Sequence, residues 1–167
     1  MAACLLGLAV VMARAGIVIN ITPSYPRGLY TGESLQAGQR VKVKDMVLVC
    51  PDTANPAIMK ALDLNIFPAG GCAGGIAPLI KTVEGLPGDY VEREDNLITI
   101  NGRTFRGCPV MHPQLFPLPV GPGYRHRLAD QEYWLMSDYN PDSFDSRYFG
   151  PITKDQIRQI LQPLVTE

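Results

Sequence analysis

The chain has only two histidines, His112 and His126, one tryptophan, and four cysteines with no Cys-x-x-Cys pair among them. The usual makings of a zinc site are therefore missing, and no metal or other cofactor is implied. Long runs of one charge are missing too. Lysine plus arginine (15) nearly balance aspartate plus glutamate (16), a net charge of −1, so nucleic acid is not an expected partner. Nor is there an apolar run of spanning length. Ala2 to Ala13 is uninterrupted, but Arg14 breaks it short of the roughly 20 residues that a membrane helix needs. No internal repeat or low-complexity tract divides the chain. What is abundant is glycine (16) and proline (15) in 167 residues, which favours a turn-rich β architecture over a helical one. The length suits one domain with a sizeable core.

The N-terminal run, assigned with its flank to residues 1–19, has three readings. Ala15 to Ile19 extend it almost to spanning length if Arg14 snorkels to the interface, making a membrane anchor. Ala13-Arg-Ala15 offers the small-residue pattern of a cleavable signal peptide. The third reading is an ordinary core helix. No Lys or Arg precedes the run, so neither an orientation nor a signal n-region is supported. Residues 20–167 form the folded domain. Val41-Lys-Val-Lys44 and Met46-Val-Leu-Val49 read as strands around a turn at Lys44-Asp45. Residues 56–64 read as a short helix, with Asn55 as its cap and Pro56 at the first position. Tyr90–Arg93 and Leu97–Ile100 read as a hairpin, and Asn101-Gly102 turns into a further strand. Residues 107–123 are an irregular excursion, and Thr153-Lys-Asp-Gln156 is a capping box opening a short helix. Cys50 and Cys72 bracket the helix, and a disulfide between them would close a loop of about 23 residues, contributing roughly 3 kcal/mol. The alternative is that Cys50, Cys72 and Cys108 are reduced, buried thiols.

The densest polar run follows the apolar stretch Tyr133-Trp-Leu-Met136. It reads Ser137-Asp-Tyr-Asn-Pro-Asp-Ser143-Phe-Asp145-Ser-Arg147-Tyr-Phe-Gly150. This run resembles the last box of the type I signal peptidases, S/G-D-N-x-x-x-S-x-D-S-R-Y-x-G, position for position over most of its length. Two further boxes occur in the family's order. Leu79-Ile-Lys81-Thr-Val-Glu-Gly-Leu-Pro-Gly-Asp89 is similar to the lysine box, and Thr22-Pro-Ser24-Tyr-Pro-Arg-Gly-Leu-Tyr30 to the serine box. The Tyr-Pro-Arg-Gly-Leu-Tyr form of the serine box, and the Gly70-to-Gly75 loop, look like the conjugative-transfer, TraF-type branch, which matures pilin precursors. The resemblance covers roughly residues 17–165. Glycine stands in many family members where this chain has Ser137.

The resemblance implies a signal peptidase-like antiparallel β domain with coiled sheets and one or two short helices behind an apolar anchor. It implies Ser24 as nucleophile, Lys81 as base, and Thr22 with the Ser24 amide as the oxyanion site. It also implies Ser143 orienting the lysine, and Asp145 with Arg147 organising the loop beneath it. The partners implied are a precursor protein and the bacterial inner membrane, with the catalytic domain on the periplasmic side. The residues have their own say. Serine needs a base, and neither histidine lies in a recognisable motif. Lysine serves only when neutral, and burial can lower its usual value of about 10.4 by roughly 3–5 units. In an extended strand Leu79, Lys81 and Val83 share one face, which would desolvate the amine. An edge-strand lysine with its amine in water is the alternative. Thr22 and Ser24, two apart in extended backbone, would present their hydroxyls together. An Asp145–Arg147 pair would cancel much of the carboxylate's field at Lys81. The expected function is serine endopeptidase action on a secreted or membrane-tethered precursor, a conjugative pilin, by cleavage or cyclisation. A general signal peptidase, or a non-catalytic component of a secretion apparatus, is the alternative.

Overall fold

Strands begin where the N-terminal run gives way to alternating side chains. The structure, a computed structural model, describes residues 16–36, 38–111, 115–116 and 120–167. The apolar run 2–13 and His112 lie outside them, and with them the readings of that run. β1 (Ile17–Asn20) and β2 (Gly28–Ser34) form a hairpin in which Asn20 lies opposite Gly28. β3 (Met46–Val49), β4 (Leu79–Gly85), β9 (Glu132–Met136), β10 (Ile152–Thr153) and β11 (Ile157–Thr166) complete a seven-stranded sheet. Its order is β1-β2-β11-β3-β4-β9-β10, with every neighbouring pair antiparallel. A second sheet of four strands runs β7 (Arg103–Thr104), β6 (Leu97–Ile100), β5 (Tyr90–Glu94), β8 (Arg125–Arg127). The helices are α1 (Pro56–Asp63) and α2 (Ser146–Phe149). The architecture is mainly β, as the glycine and proline content implied.

Alternation sorts each strand between two layers. From β3 and β4, Val47, Val49 and Val83 point into a core shared with Leu135, Ile157 and the buried face of α1, Ala57 and Ile58. Leu48 and Ile80 point the other way, into a cluster with Tyr25, Tyr30 and Leu161. Val91, Ile98, Ile100, Leu128 and Trp134 fill the space under the second sheet. Each fully buried aliphatic side chain of this kind stabilises the fold by about 1.5–3 kcal/mol.

Two local readings need correction. Val41–Lys44 is not a strand. Asp45 closes a turn there, its carboxylate accepting from Lys42 N–H (2.8 Å), and Lys44 takes φ +73°. The turn docks on β4 instead, Lys44 N–H donating to Val83 O (2.8 Å) and Val83 N–H to Asp45 O (2.9 Å). The capping box at Thr153 is present, but it closes a single 3-10 turn, Lys154–Gln156, that leads straight into β11. Asn55 caps α1, its Oδ1 accepting from Ala57 N–H at 2.9 Å. Cys50 and Cys72 are joined as a disulfide with Cα atoms 5.5 Å apart, while Cys108 is a buried free thiol. The bridge ties off the segment that carries α1 and the Ile66–Pro68 loop. No helix of the described residues is long and apolar enough to cross a membrane.

Candidate active site

Ser24 sits in a turn over residues 22–25 between β1 and β2, not in the extended backbone expected for Thr22-Pro-Ser. The cause is Asn20, the buried last residue of β1. Its Oδ1 accepts from the Thr22 N–H (3.0 Å) and the Thr22 hydroxyl (2.8 Å), closing an Asx-type turn. Its Nδ2 donates to the carbonyls of Thr22 (3.1 Å), Tyr25 (2.9 Å) and Pro26 (3.1 Å). The C-terminal polar run supplies the rest, Asn140 Nδ2 donating to Pro23 O (3.1 Å) and Ser137 Oγ to Ser24 O (2.6 Å). Every carbonyl from Thr22 to Pro26 thus accepts a hydrogen bond, and Pro23 and Pro26 fix their own φ. No described residue accepts the Ser24 N–H.

Lys81 is in the middle of β4, between Leu79 and Val83 on the core side, and only 1 % exposed. Burial disfavours its ammonium and pulls the amine down to about 8. The neighbouring carboxylate of Asp145 pushes it up, and the guanidinium of Arg147 pushes it down again. The Lys81 amine makes no hydrogen bond to any described residue.

The polar run turns around Asp145. As the cap of α2 it accepts from the Arg147 N–H (3.2 Å), and its other oxygen accepts from the Ser137 N–H (3.0 Å). Arg147 grips it bidentately, Nε to Oδ1 at 2.7 Å and Nη2 to Oδ2 at 2.8 Å. The remaining guanidinium hydrogens go to the carbonyls of Pro109 (2.9 Å), Pro141 (2.8 Å) and Ser143 (2.8 Å). Both side chains are fully buried. A pair this completely satisfied is a scaffold, and it draws Ser137 and Ser143 into place.

Ser24, Thr22, Lys81 and Ser143 line one cavity of about 480 Å³, whose walls are otherwise largely apolar: Ile21, Phe67, Ile80 and Phe144. The hydroxyl of Ser143 is buried there without a hydrogen-bond partner among the described residues. A neutral amine beside a serine hydroxyl in an apolar cleft can accept the hydroxyl proton. Asp145 and Arg147 stand behind this wall. Among the described residues no cluster of His, Cys, Asp or Glu is placed to hold a metal ion. His126, on β8 of the second sheet, is paired with Glu132 (2.5 Å) and takes no part in the cavity.

Three residues escaped the sequence reading: Asn20, Asn140 and Tyr25. Asn20-Ile-Thr22 carries the signal of an Asx turn, which the extended reading of Thr22-Pro-Ser24 passes over. Asn140 and Tyr25 act on residues more than a hundred or more than fifty positions away, which no local pattern reports.

The model of the family described as signal peptidase, peptidase S26, matches residues 1–162. A conjugal transfer protein TraF of Agrobacterium tumefaciens (strain 15955) is 34 % identical over 151 residues, 90 % of this chain and 83 % of that protein. A plasmid transfer protein TraF of Escherichia coli is 33 % identical over 154 residues, 91 % and 84 % respectively. A solved signal peptidase I of Enterococcus faecalis V583 overlays with a TM-score of 0.42 at 18 % identity, covering 74 % of this chain and 98 % of that one.

Proposed function

The chain belongs to the signal peptidase, peptidase S26, family, and from that premise we propose that it is a serine–lysine endopeptidase that processes a pilin precursor in conjugative transfer. Ser24 Oγ attacks the scissile carbonyl while Lys81 Nζ takes its proton. The Ser24 N–H and the Thr22 hydroxyl hold the oxyanion; the latter first gives up its bond to Asn20. Lys81 then passes the proton to the leaving amine, and an acyl ester remains on Ser24. Water resolves that ester to a linear product, or the substrate's own amine resolves it to a cyclic one. Ser143 offers its unpaired hydroxyl to the Lys81 amine, and the Asp145–Arg147 pair holds the loop beneath.

The observation that carries this reading is a buried lysine, pulled down to about 8, lining the same cleft as Ser24. The transfer role is supported by the printed names of the relatives. An inner-membrane position is supported by the apolar run 2–13 and by exposed Ile19 and Ile21 just before Ser24; the periplasmic side rests on the family resemblance. Ser24→Ala and Lys81→Ala should each abolish processing of the pilin precursor while the domain keeps its melting temperature or gains a little. Processing retained by either variant would sink the assignment. Mass spectrometry of the product separates the resolving steps, since a ring is lighter than the linear product by one water.

A further inference from the structure

Next in the chain to Ser24 stands Tyr25, a tyrosine that is only 4 % exposed. Next to Lys81 stands Thr82, 5 % exposed, and the Tyr25 hydroxyl shares a short hydrogen bond with the Thr82 hydroxyl. The same phenol reaches Met136 O at 3.3 Å and Asp138 Oδ1 at 3.4 Å, at the end of β9 where the polar run begins. Its ring stacks on Tyr139, with centroids 6.3 Å apart. The Thr82 hydroxyl has no other partner among the described residues. Burial keeps the phenol protonated far above neutral pH.

We propose that Tyr25 and Thr82 form a clamp that fixes the Ser24 turn at its working distance from Lys81, making Tyr25 a positioning residue. The inference rests on the Ser24–Lys81 reading above. The physical ground is connectivity. The turn and β4 belong to different parts of the sheet, separated by β2, β11 and β3. Asn20 shapes the turn internally, and Asn140 and Ser137 tie it to the polar run. Among the described residues, the Tyr25 phenol makes the only hydrogen bond from the turn to β4 itself, one residue away from each reacting side chain. A clamp at that point constrains the Ser24–Lys81 separation more tightly than ties through a third segment.

Thiol chemistry tests this without a substrate. In Ser24→Cys full-length protein, the rate of iodoacetamide alkylation at position 24, resolved by peptide mass spectrometry, reports how strongly the amine of Lys81 favours the thiolate. Adding Lys81→Met should slow the reaction at pH 7 and raise its pH midpoint. Adding Tyr25→Phe, which keeps the ring and its stack, should slow it about 5- to 10-fold, the scale of a lost buried hydrogen bond. Thr82→Val should do the same, and the two together should be no slower than either alone. If Tyr25→Phe does not fold, Thr82→Val decides. A rate unmoved by Lys81→Met sinks the Ser24–Lys81 reading, and the clamp with it. Slowing by Lys81→Met, with parental rates for Tyr25→Phe and Thr82→Val, sinks the clamp alone. So does a lower melting temperature with an unchanged rate and midpoint, the mark of mere packing.

Discussion

A lysine that is only 1 % exposed, its amine without a hydrogen-bond partner among the described residues, burdens the fold that carries it. With its amine near 8 in the fold and about 10.4 in the unfolded chain, folding releases a proton at pH values between the two. The unfolded state binds more protons between those two values, so stability rises with pH through that window and the burden is complete below it. Lys81→Met should therefore stabilise the protein at pH 7 by up to about 3 kcal/mol, a gap that closes as the pH climbs from about 8 to beyond 10. Denaturant midpoints of both proteins across that range check it. The same proton should govern turnover, which rises as the amine becomes neutral near 8 and then levels. A rate still climbing past about 10 would mean a solvated lysine. Asp145 answers to a different rule. Its removal leaves the Arg147 guanidinium buried beside carbonyls alone, and one-sided breaking of such a pair typically costs about 3–5 kcal/mol. Asp145→Asn should lower melting temperature and turnover together. A loss of turnover with an unchanged melting temperature would make Asp145 a direct partner of Lys81 instead.

Elements were legible wherever their chemistry is local. Asn55 caps α1 from two residues away, and the β5–β6 hairpin turns at Asp95, which takes φ +52°. The alternation around Lys81 placed Leu79 and Val83 on the core side and Ile80 opposite, as the clusters show. The same rule failed at Val41–Lys44, where Lys44 turns left-handed, its own N–H held by Val83 O of β4 and the Lys42 N–H by the Asp45 carboxylate. It failed again at Thr22-Pro-Ser24, where Asn20 folds the backbone into a turn. The Cys50–Cys72 bridge is the element whose loss reaches the cleft. It closes about 23 residues that include the Ile66–Pro68 loop, and chain entropy alone makes it worth about 3 kcal/mol. The double variant Cys50→Ala, Cys72→Ala should melt at a lower temperature than the parent. Its KM for the precursor should rise more than its kcat falls, because Phe67 forms a wall and not the reacting centre. Equal KM values would show that the loop keeps its place unaided.

At the scale of the whole molecule, the order of strands was the least legible feature. Nothing in a single strand's sequence names its neighbour, and β11 lies between β2 and β3, over a hundred residues earlier in the chain. Its Leu161 packs with Tyr25, Tyr30 and Ile80, while its Ile157 joins the other core, so one strand serves both layers. Ser24 belongs to the hairpin on one side of β11, and Lys81 to the strands on the other. The arrangement has a meaning in time. A ribosome adding roughly 5–20 residues per second makes Ser24 on the order of ten seconds before it reaches β11. Through that interval the two halves of the sheet have no strand to join them. Nucleophile and base meet only when nearly the whole domain has been synthesised, so an interrupted nascent chain carries both groups and joins neither.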